Sequence, residues 1–468
     1  MEGPSTSIPS SSAKAGFSAP SRELSRQLGL GSAAAAVAGD AIAVGIFLTP
    51  AGMARSLGSP FWLLMIWIVM GAMALSGALC YGELAARFPA AGGGYIYLRE
   101  AFGPRLAFLY GWMSFLVLDP GVTAALAVGM SSYVAYMVRL SPHAEKAVAV
   151  VTILVIAILN IRHTLLGAWL IRWLTILKFA VLGLLAFWAF GARAGNWSHF
   201  LPFVHQRSGA EPLLGALAAS FVAAFFSFGG WWDVSKIAGE VHHPQRNLPR
   251  ALALGVLAVT LVYILLSAAF IYIVPIESVT SDETFVAQAG ARLFGTAGGL
   301  LLAAIVVACV LGSLAGAIMM VPRVYYAMAL DGLFFPSVAG IHPRFGTPAH
   351  AIALHALLAG LLVGLGTFAQ IIAYFIFVAV IFIGLTVAGL FVIRRRAGGD
   401  GFRSSGYPWT AILFLVLVVV LLALLLLRSP VQALLGLGVV ALGIPCFRLL
   451  RFRGGAPARH ATPPPSAQ

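Results

Sequence analysis

Two glycine-interrupted stretches of apolar sequence are places where backbone atoms of this chain could bind a ligand. Gly39 and Gly45 bound the first stretch, and Gly229 and Gly230 interrupt the second. A glycine costs roughly 1 kcal/mol in a helix interior, so both stretches predict a broken helix. Unwound backbone exposes N–H groups that bind a carboxylate and C=O groups that bind an ammonium group or a cation. A second interpretation of the glycine pair is close packing of a neighbouring helix.

Two ionisable side chains, Lys178 and Asp40, fall inside apolar segments. Ionisable residues inside membrane helices are costly and usually serve a function, so both are candidate coupling residues. Lys178 is either a group that accepts and releases a proton or a structural lysine neutralised by helix carbonyls. Asp40 has three interpretations: it pairs with Lys178, binds a cationic group of the ligand, or caps the break by accepting from free N–H groups.

The composition predicts an all-α polytopic membrane protein. Of 468 residues, 60% are hydrophobic and only 9% are charged, whereas soluble domains have roughly 25% charged residues. The mean hydropathy is +0.96. A bilayer-spanning helix needs about 20 apolar residues. Twelve windows of that kind lie near 29–53, 60–82, 106–137, 145–162, 166–190, 212–238, 251–275, 297–322, 349–367, 370–393, 409–428 and 430–447.

The distribution of lysine and arginine predicts the orientation in the cell membrane. Most of these residues fall in segments that are cytoplasmic if the N-terminus is inside, so both termini are predicted to be cytoplasmic. The net charge of +14 therefore indicates topology and not a nucleic-acid partner. The polar tails 1–27 and 454–468 are predicted to be disordered. Four residues at the cytoplasmic edge form either a gate-closing ionic network or a solvated face: Glu83, Glu240, Arg246 and Arg250.

The order of the breaks predicts an internal repeat. Spans 1–5 and spans 6–10 each begin with a broken helix, and an odd number of helices in each half inverts the second copy. Interrupted helices at matching positions of two halves indicate a transporter site near the middle of the membrane. This assigns repeat one to 29–190, repeat two to 212–393 and two peripheral helices to 409–447, within a transporter domain of 28–450.

Other function classes have little support in the sequence. Cys80, Cys309 and Cys446 have no pairing or metal-binding spacing, so neither a metal nor a cofactor is expected. No nucleophile triad, zinc-protease motif or Walker motif occurs, and we expect no enzymatic activity. A membrane-embedded enzyme and a channel remain the alternatives. An enzyme would need a convergent catalytic set at one depth, and a channel would need polar stripes on several helices.

Four motifs resemble those of amino-acid permeases of the amino acid–polyamine–organocation superfamily, particularly the L-type branch. In chain order they are GDAIAVGIFLTPAG (39–52), ALCYGELAARFPAAGGGYIYLREAFGPRLAFLYGW (78–112), FSFGGWWDVSKIAGEVHHPQRNLPRA (226–251) and PRVYYAMALDGLFFPSVAGIHPRFGTP (322–348). The likeness covers roughly residues 30–450. It implies a LeuT-like fold with a 5+5 inverted repeat. It also implies secondary active transport of an amino acid by alternating access, as proton-coupled symport or as exchange.

The resemblance also implies roles for particular residues. The substrate carboxylate would bind N–H groups near Ala43, Val44 and Gly45, and its ammonium would bind carbonyls near Phe226, Ser227 and Gly229. Phe226 and Trp231 would flank or gate the side-chain pocket. Lys178 would stand where sodium-coupled relatives bind their ion. Some L-type relatives join a heavy chain through a cysteine between helices three and four. The loop 138–144 contains no cysteine, so no disulfide-linked heavy chain is expected.

Overall fold

A computed structural model of the chain describes residues 26–43, 45–162, 164–191, 193, 195–275, 285–365, 368–397 and 402–453. Apart from one two-residue backbone bridge between Leu28 and Val241, its regular secondary structure is helical. Sixteen α-helices lie within these residues. They are α1 Leu30–Ala41, α2 Gly45–Leu57, α3 Pro60–Arg87, α4 Gly94–Phe102, α5 Pro104–Met113, α6 Asp119–Val138, α7 Pro142–Arg162, α8 Thr164–Gly191, α9 Leu213–Phe228, α10 Pro244–Ile273, α11 Phe285–Met320, α12 Arg323–Leu330, α13 Ala349–Leu365, α14 Phe368–Ala397, α15 Trp409–Arg428 and α16 Pro430–Arg453.

Ten helical segments of the described chain are long and apolar enough to cross a membrane. The prediction of an all-helical, multi-pass membrane protein is therefore confirmed. Two of the predicted spans fall outside these ten segments. The window 29–53 corresponds to the short helices α1 and α2, and the window 349–367 corresponds to the 17-residue helix α13.

The first apolar segment is interrupted between α1 and α2. The chain leaves helical geometry at Ile42, whose φ of −77° and ψ of 70° follow the last residue of α1. Helix α2 then starts at Gly45 and packs against α9, while α1 packs against α8, α10 and α11. Both halves of this segment are therefore held by other helices of the bundle, which supply partners for the backbone groups released at the break.

A second interruption follows α9. Gly229 leaves the helix with a ψ of 154°, and Gly230 adopts a φ of +94°, a conformation that side chains with a Cβ rarely take. The chain continues as a 3₁₀ segment, Asp233–Glu240, before α10 begins. The glycine pair thus occupies the point at which an apolar helix changes into a tighter, partly polar one.

Ion pairs tie the helices together at one end of the bundle. Glu83 near the end of α3 is fully buried, pairs with Arg394 of α14, and accepts from the Ser404 backbone N–H at 2.8 Å. Glu240 pairs with Arg323 of α12 at 2.9 Å. Glu83 and Glu240 are therefore in buried ion pairs, as the ionic-network alternative predicts, and their partners are Arg394 and Arg323. The other two predicted members, Arg246 and Arg250, line a separate surface cavity together with Arg26.

The N-terminal segment attaches to the same end. The N–H groups of Gln27 and Leu28 donate to the Glu240 carbonyl at 2.8 and 2.9 Å, and the His242 N–H donates to the Leu28 carbonyl at 2.7 Å. Gln27 and Leu28 are therefore fixed to the end of the 3₁₀ segment after the second break, next to the Glu240–Arg323 pair.

The buried Glu83 carboxylate supports a stability prediction. We expect Glu83→Gln to destabilise the protein by about 3–5 kcal/mol, because it leaves Arg394 without its buried partner. Glu100→Gln is the matched control, since Glu100 pairs with Arg99 through a side chain that is 37% exposed. An exposed pair contributes roughly 0–1 kcal/mol. Thermal unfolding in detergent measures both variants, and equal midpoints would contradict the prediction.

Candidate functional site

The two helix breaks face each other across a small cavity. Its free space is about 40 Å³. One water needs about 10–15 Å³, so this conformation has space for a few waters, and a ligand the size of an amino acid requires the wall to move. The cavity is lined by Asp40, Ala43, Gly45, Leu118, Asp119, Val122, Leu126, Phe225, Phe226, Gly229, Gly230, Trp232, Asp233, Ile376 and Ala379. Carboxyl groups and apolar side chains therefore share its surface.

Of the three predicted first-break residues, Ala43 and Gly45 lie on the cavity wall, and Val44 lies outside the described residues. The Ala43 N–H donates to the Ala41 carbonyl at 2.8 Å, so it already has an acceptor in this conformation. Gly45 begins α2, and the first N–H groups of a helix have no acceptor within it. A Cβ at Gly45 would lie 2.6 Å from Ser227 Cα, so glycine permits the contact between α2 and α9.

The predicted second-break residues Phe226 and Gly229 also lie on the wall. The Phe226 carbonyl accepts the Gly229 N–H at 2.9 Å and retains a second lone pair. Ser227 lies behind Gly45, where its hydroxyl donates to the Ala223 carbonyl and contacts Thr49 Oγ1 at 2.8 Å. Its backbone carbonyl points to Tyr263, whose hydroxyl lies 2.6 Å away.

Adjacent tryptophans occupy different environments. Trp231 is buried and packs edge-on against Tyr81 and Phe414, with ring centroids 5.2 and 6.4 Å apart. Trp232 lines the cavity and stacks on Phe225. Of the two aromatic residues predicted to flank or gate the pocket, Phe226 lines the cavity and Trp231 lies behind its neighbour Trp232, which is on the cavity wall.

The Lys178 ammonium group binds the carbonyl oxygens released at the first break. Its Nζ is 2.6 Å from the Gly39 carbonyl, 2.8 Å from the Ile42 carbonyl and 2.6 Å from Ser313 Oγ on α11. Lys178 is fully buried, and these three acceptors match the three protons of an ammonium group. Of the interpretations of Asp40, pairing with Lys178 is not what the structure has, because the lysine contacts carbonyl oxygens and a hydroxyl.

Sequence reasoning missed three charged residues at the cavity. Lys236 Nζ lies 2.9 Å from Asp119 Oδ1 and 2.8 Å from Asp233 Oδ1, and all three side chains are buried. Asp119 follows a π-helical turn, Ser114–Leu118, a feature frequent at functional sites. The same signal that identified Lys178, an ionisable residue within an apolar span, applies to Asp119 and could have found it.

A hydrogen-bond chain leads away from Asp119. The Tyr325 hydroxyl lies 3.5 Å from Asp119 Oδ2 and 3.2 Å from His355 Nδ1, and His355 Nε2 lies 2.9 Å from Thr123 Oγ1. His355 is thus a fully buried core histidine with a partner at each ring nitrogen. Within the described residues, no three His, Cys, Asp or Glu side chains are grouped so that they could hold a metal ion.

Comparison with known proteins connects this geometry to a family. A family described as "Amino acid permease" matches residues 28–444. The chain is 29% identical over 395 residues to the serine/threonine exchanger SteT of Bacillus subtilis, covering 83% of this chain and 89% of that protein. It is 28% identical to the mouse b(0,+)-type amino acid transporter 1, covering 87% and 83% of the two chains. It is 27% identical to the human large neutral amino acids transporter small subunit 2, covering 91% and 80%.

The close approach at Gly45 generates a prediction about the two breaks. We expect Gly45→Ala to destabilise the protein by about 1–3 kcal/mol, because the new methyl group forces α2 away from the α9 backbone. Gly215→Ala is the matched control, since Gly215 lies on α9 and no atom lies within 4 Å of a Cβ added there. Thermal unfolding of the two purified variants measures the difference. A Gly45→Ala protein as stable as the control would show that the helices separate there without cost.

Proposed function

The chain belongs to the amino acid permease family and is a secondary transporter for amino acids, and we propose that it works by alternating access with the substrate between its two broken helices. The observation that carries this proposal is the shared cavity, because Ala43 and Gly45 from one break and Phe226 and Gly229 from the other line it together. The substrate carboxylate binds the N–H groups near Ala43, Val44 and Gly45. Its ammonium binds carbonyls of the second break.

The proposed architecture is a LeuT-like fold with twelve spans. Two five-helix inverted repeats, 29–190 and 212–393, each start with a broken helix, and two peripheral helices follow at 409–447. The break between α1 and α2 and the break after α9 support it, since each opens one half of this division. We also propose location in the cell membrane with both termini on the cytoplasmic side, because lysine and arginine concentrate on that side.

The proposed coupling is independent of sodium. The Lys178 ammonium is bound by the Gly39 and Ile42 carbonyls, the kind of oxygen ligands that a bound Na⁺ would use at a helix break. Coupling then takes one of two forms. Proton symport is favoured by a buried ionisable group at the break, and amino-acid exchange is favoured by the exchanger relative SteT. No disulfide-linked heavy chain is proposed, because the loop 138–144 has no cysteine.

Uptake into proteoliposomes tests the transport proposal. Purified protein is reconstituted into liposomes, with or without an amino-acid mixture inside. Entry of each labelled amino acid is compared with entry into liposomes that contain no protein. Uptake of at least one amino acid, faster with amino acids inside for an exchanger, is the expected result. A folded protein that carries none of the proteinogenic amino acids would overturn the proposal.

Lys178 distinguishes the two forms of coupling. For proton symport we expect uptake to respond to external pH, and Lys178→Ala to abolish accumulation. Lys178→Arg does not rescue it, because a guanidinium group does not deprotonate in proteins. For exchange, we expect Lys178→Arg to keep part of the uptake activity, and external pH to have little effect on the rate of uptake. The measurement is initial uptake at several pH values, with Na⁺ replaced by choline. Sodium-dependent uptake by the unchanged protein would contradict both forms.

Phe226 tests the pocket wall. We expect Phe226→Ala to weaken binding of every substrate by about 1–3 kcal/mol, because it removes an aromatic surface from the cavity. Phe187→Ala is the control, since Phe187 on α8 is 77% exposed on the outside of the bundle. Competition against a labelled substrate gives both affinities. Unchanged affinity in Phe226→Ala would remove this residue from the binding site.

A further inference from the structure

The cavity wall carries more carboxyl groups than a ligand with a neutral side chain needs. Asp40, Asp119 and Asp233 all line it, and they come from three different parts of the chain, namely α1, α6 and the 3₁₀ segment after the second break. The Lys236 ammonium bridges Asp119 and Asp233 from behind the wall. One cation is therefore shared between two of the three carboxyl groups.

Asp40 is the carboxyl group that has no cation of its own. It is only 6% exposed, and none of the ion pairs among the described residues involves it. Its carboxyl group packs against Gly230, where a Cβ would lie 2.7 Å from Asp40 Oδ2. The Asp233 carboxyl group lines the same small cavity from the 3₁₀ segment after the second break. Two buried carboxylates on the wall of one small cavity repel each other, so one of the two holds a proton unless a cation lies between them.

The net charge of the side chains around the two breaks shows why a cation would be bound there. The three aspartates have two lysines as counterions, namely Lys236 and Lys178, which binds the first break. When all five are ionised, the site has one negative charge in excess. With an amino acid that has a neutral side chain, one carboxyl group must keep a proton to cancel this excess in the poorly hydrated cavity. An amino acid with a cationic side chain cancels the excess through an ion pair instead.

Resting on the proposed function, we propose that Asp40 and Asp233 form a subsite for a second positive charge and that the transported amino acids have a cationic side chain. The ammonium or guanidinium group enters between the two carboxyl groups and takes the place of the proton that one of them holds when the cavity is empty. That proton leaves to solvent. Leu118, Val122 and Ile376 provide an apolar surface for the aliphatic stem of such a side chain.

Lys236 has a positioning role in this subsite. It holds the Asp233 carboxyl group at 2.8 Å and the Asp119 carboxyl group at 2.9 Å, so neither is free to rotate away from the cavity. It also supplies only one charge for the two groups, which preserves the excess. An acidic substrate would add a further negative charge to the cavity and is excluded on the same grounds.

A matched pair of substrates tests the proposal on the unchanged protein. Arginine and citrulline have nearly the same shape, but citrulline carries a neutral urea group where arginine carries a guanidinium group. In proteoliposomes we expect unlabelled arginine, lysine and ornithine to compete with labelled arginine at concentrations at least tenfold lower than citrulline or leucine. Leucine uptake with no competition from arginine, lysine or ornithine would overturn the inference and leave the proposed function intact. Absence of any amino-acid uptake would overturn the proposed function itself.

Substitution of the subsite provides the second measurement. Asp233→Asn removes the excess charge, so we expect the preference for arginine over citrulline to fall at least tenfold. Asp40→Asn makes the same change from α1 and covers the case in which Asp233→Asn does not fold. Glu145→Gln is the control, since this carboxylate accepts a hydrogen bond from Ser132 Oγ at 2.6 Å and does not line the cavity. An unchanged preference in a folded Asp233→Asn or Asp40→Asn protein would overturn the subsite.

Discussion

The bond between the Lys178 ammonium and the carbonyl oxygens of Gly39 and Ile42 is the interaction on which the site depends. A helix cannot stop in the apolar interior of a membrane protein unless other groups bind the backbone atoms it releases. Ser313 from α11 adds a hydroxyl at 2.7 Å from the same Gly39 carbonyl. The break thus joins α1, α8 and α11, and a cavity beside unwound backbone is stable because these side chains bind its carbonyls.

The fold around the breaks follows from packing that only small residues allow. Gly45 lets α2 touch the α9 backbone, and Gly230 lets the Asp40 carboxyl group lie against the second break. At one end of the bundle, the buried pair Glu83–Arg394 connects α3 to α14, and the pair Glu240–Arg323 connects the 3₁₀ segment after the second break to α12. Close backbone contacts therefore hold the helices at the breaks, and paired charges hold them at the end of the bundle.

Local features of the site could be predicted from the sequence, whereas its long-range pairings could not. Glycine interruptions and an isolated lysine in an apolar run are visible in a short window, so both breaks and Lys178 were identified. Lys236 and Asp119 are 117 residues apart, and nothing in either segment indicates that they meet. Trp231 and Trp232 have the same side chain, and only the backbone geometry after Gly230 decides which of them faces the cavity.

The Tyr263 hydroxyl has one proton for two acceptors, the Ala41 carbonyl at 2.7 Å and the Ser227 carbonyl at 2.6 Å. Because Ala41 already accepts the Ala43 N–H, the proton satisfies more of the backbone when it turns to Ser227. One α10 hydroxyl thus spans the gap between the ends of α1 and α9. Any change in the separation of the two breaks must therefore lengthen at least one of its two contacts.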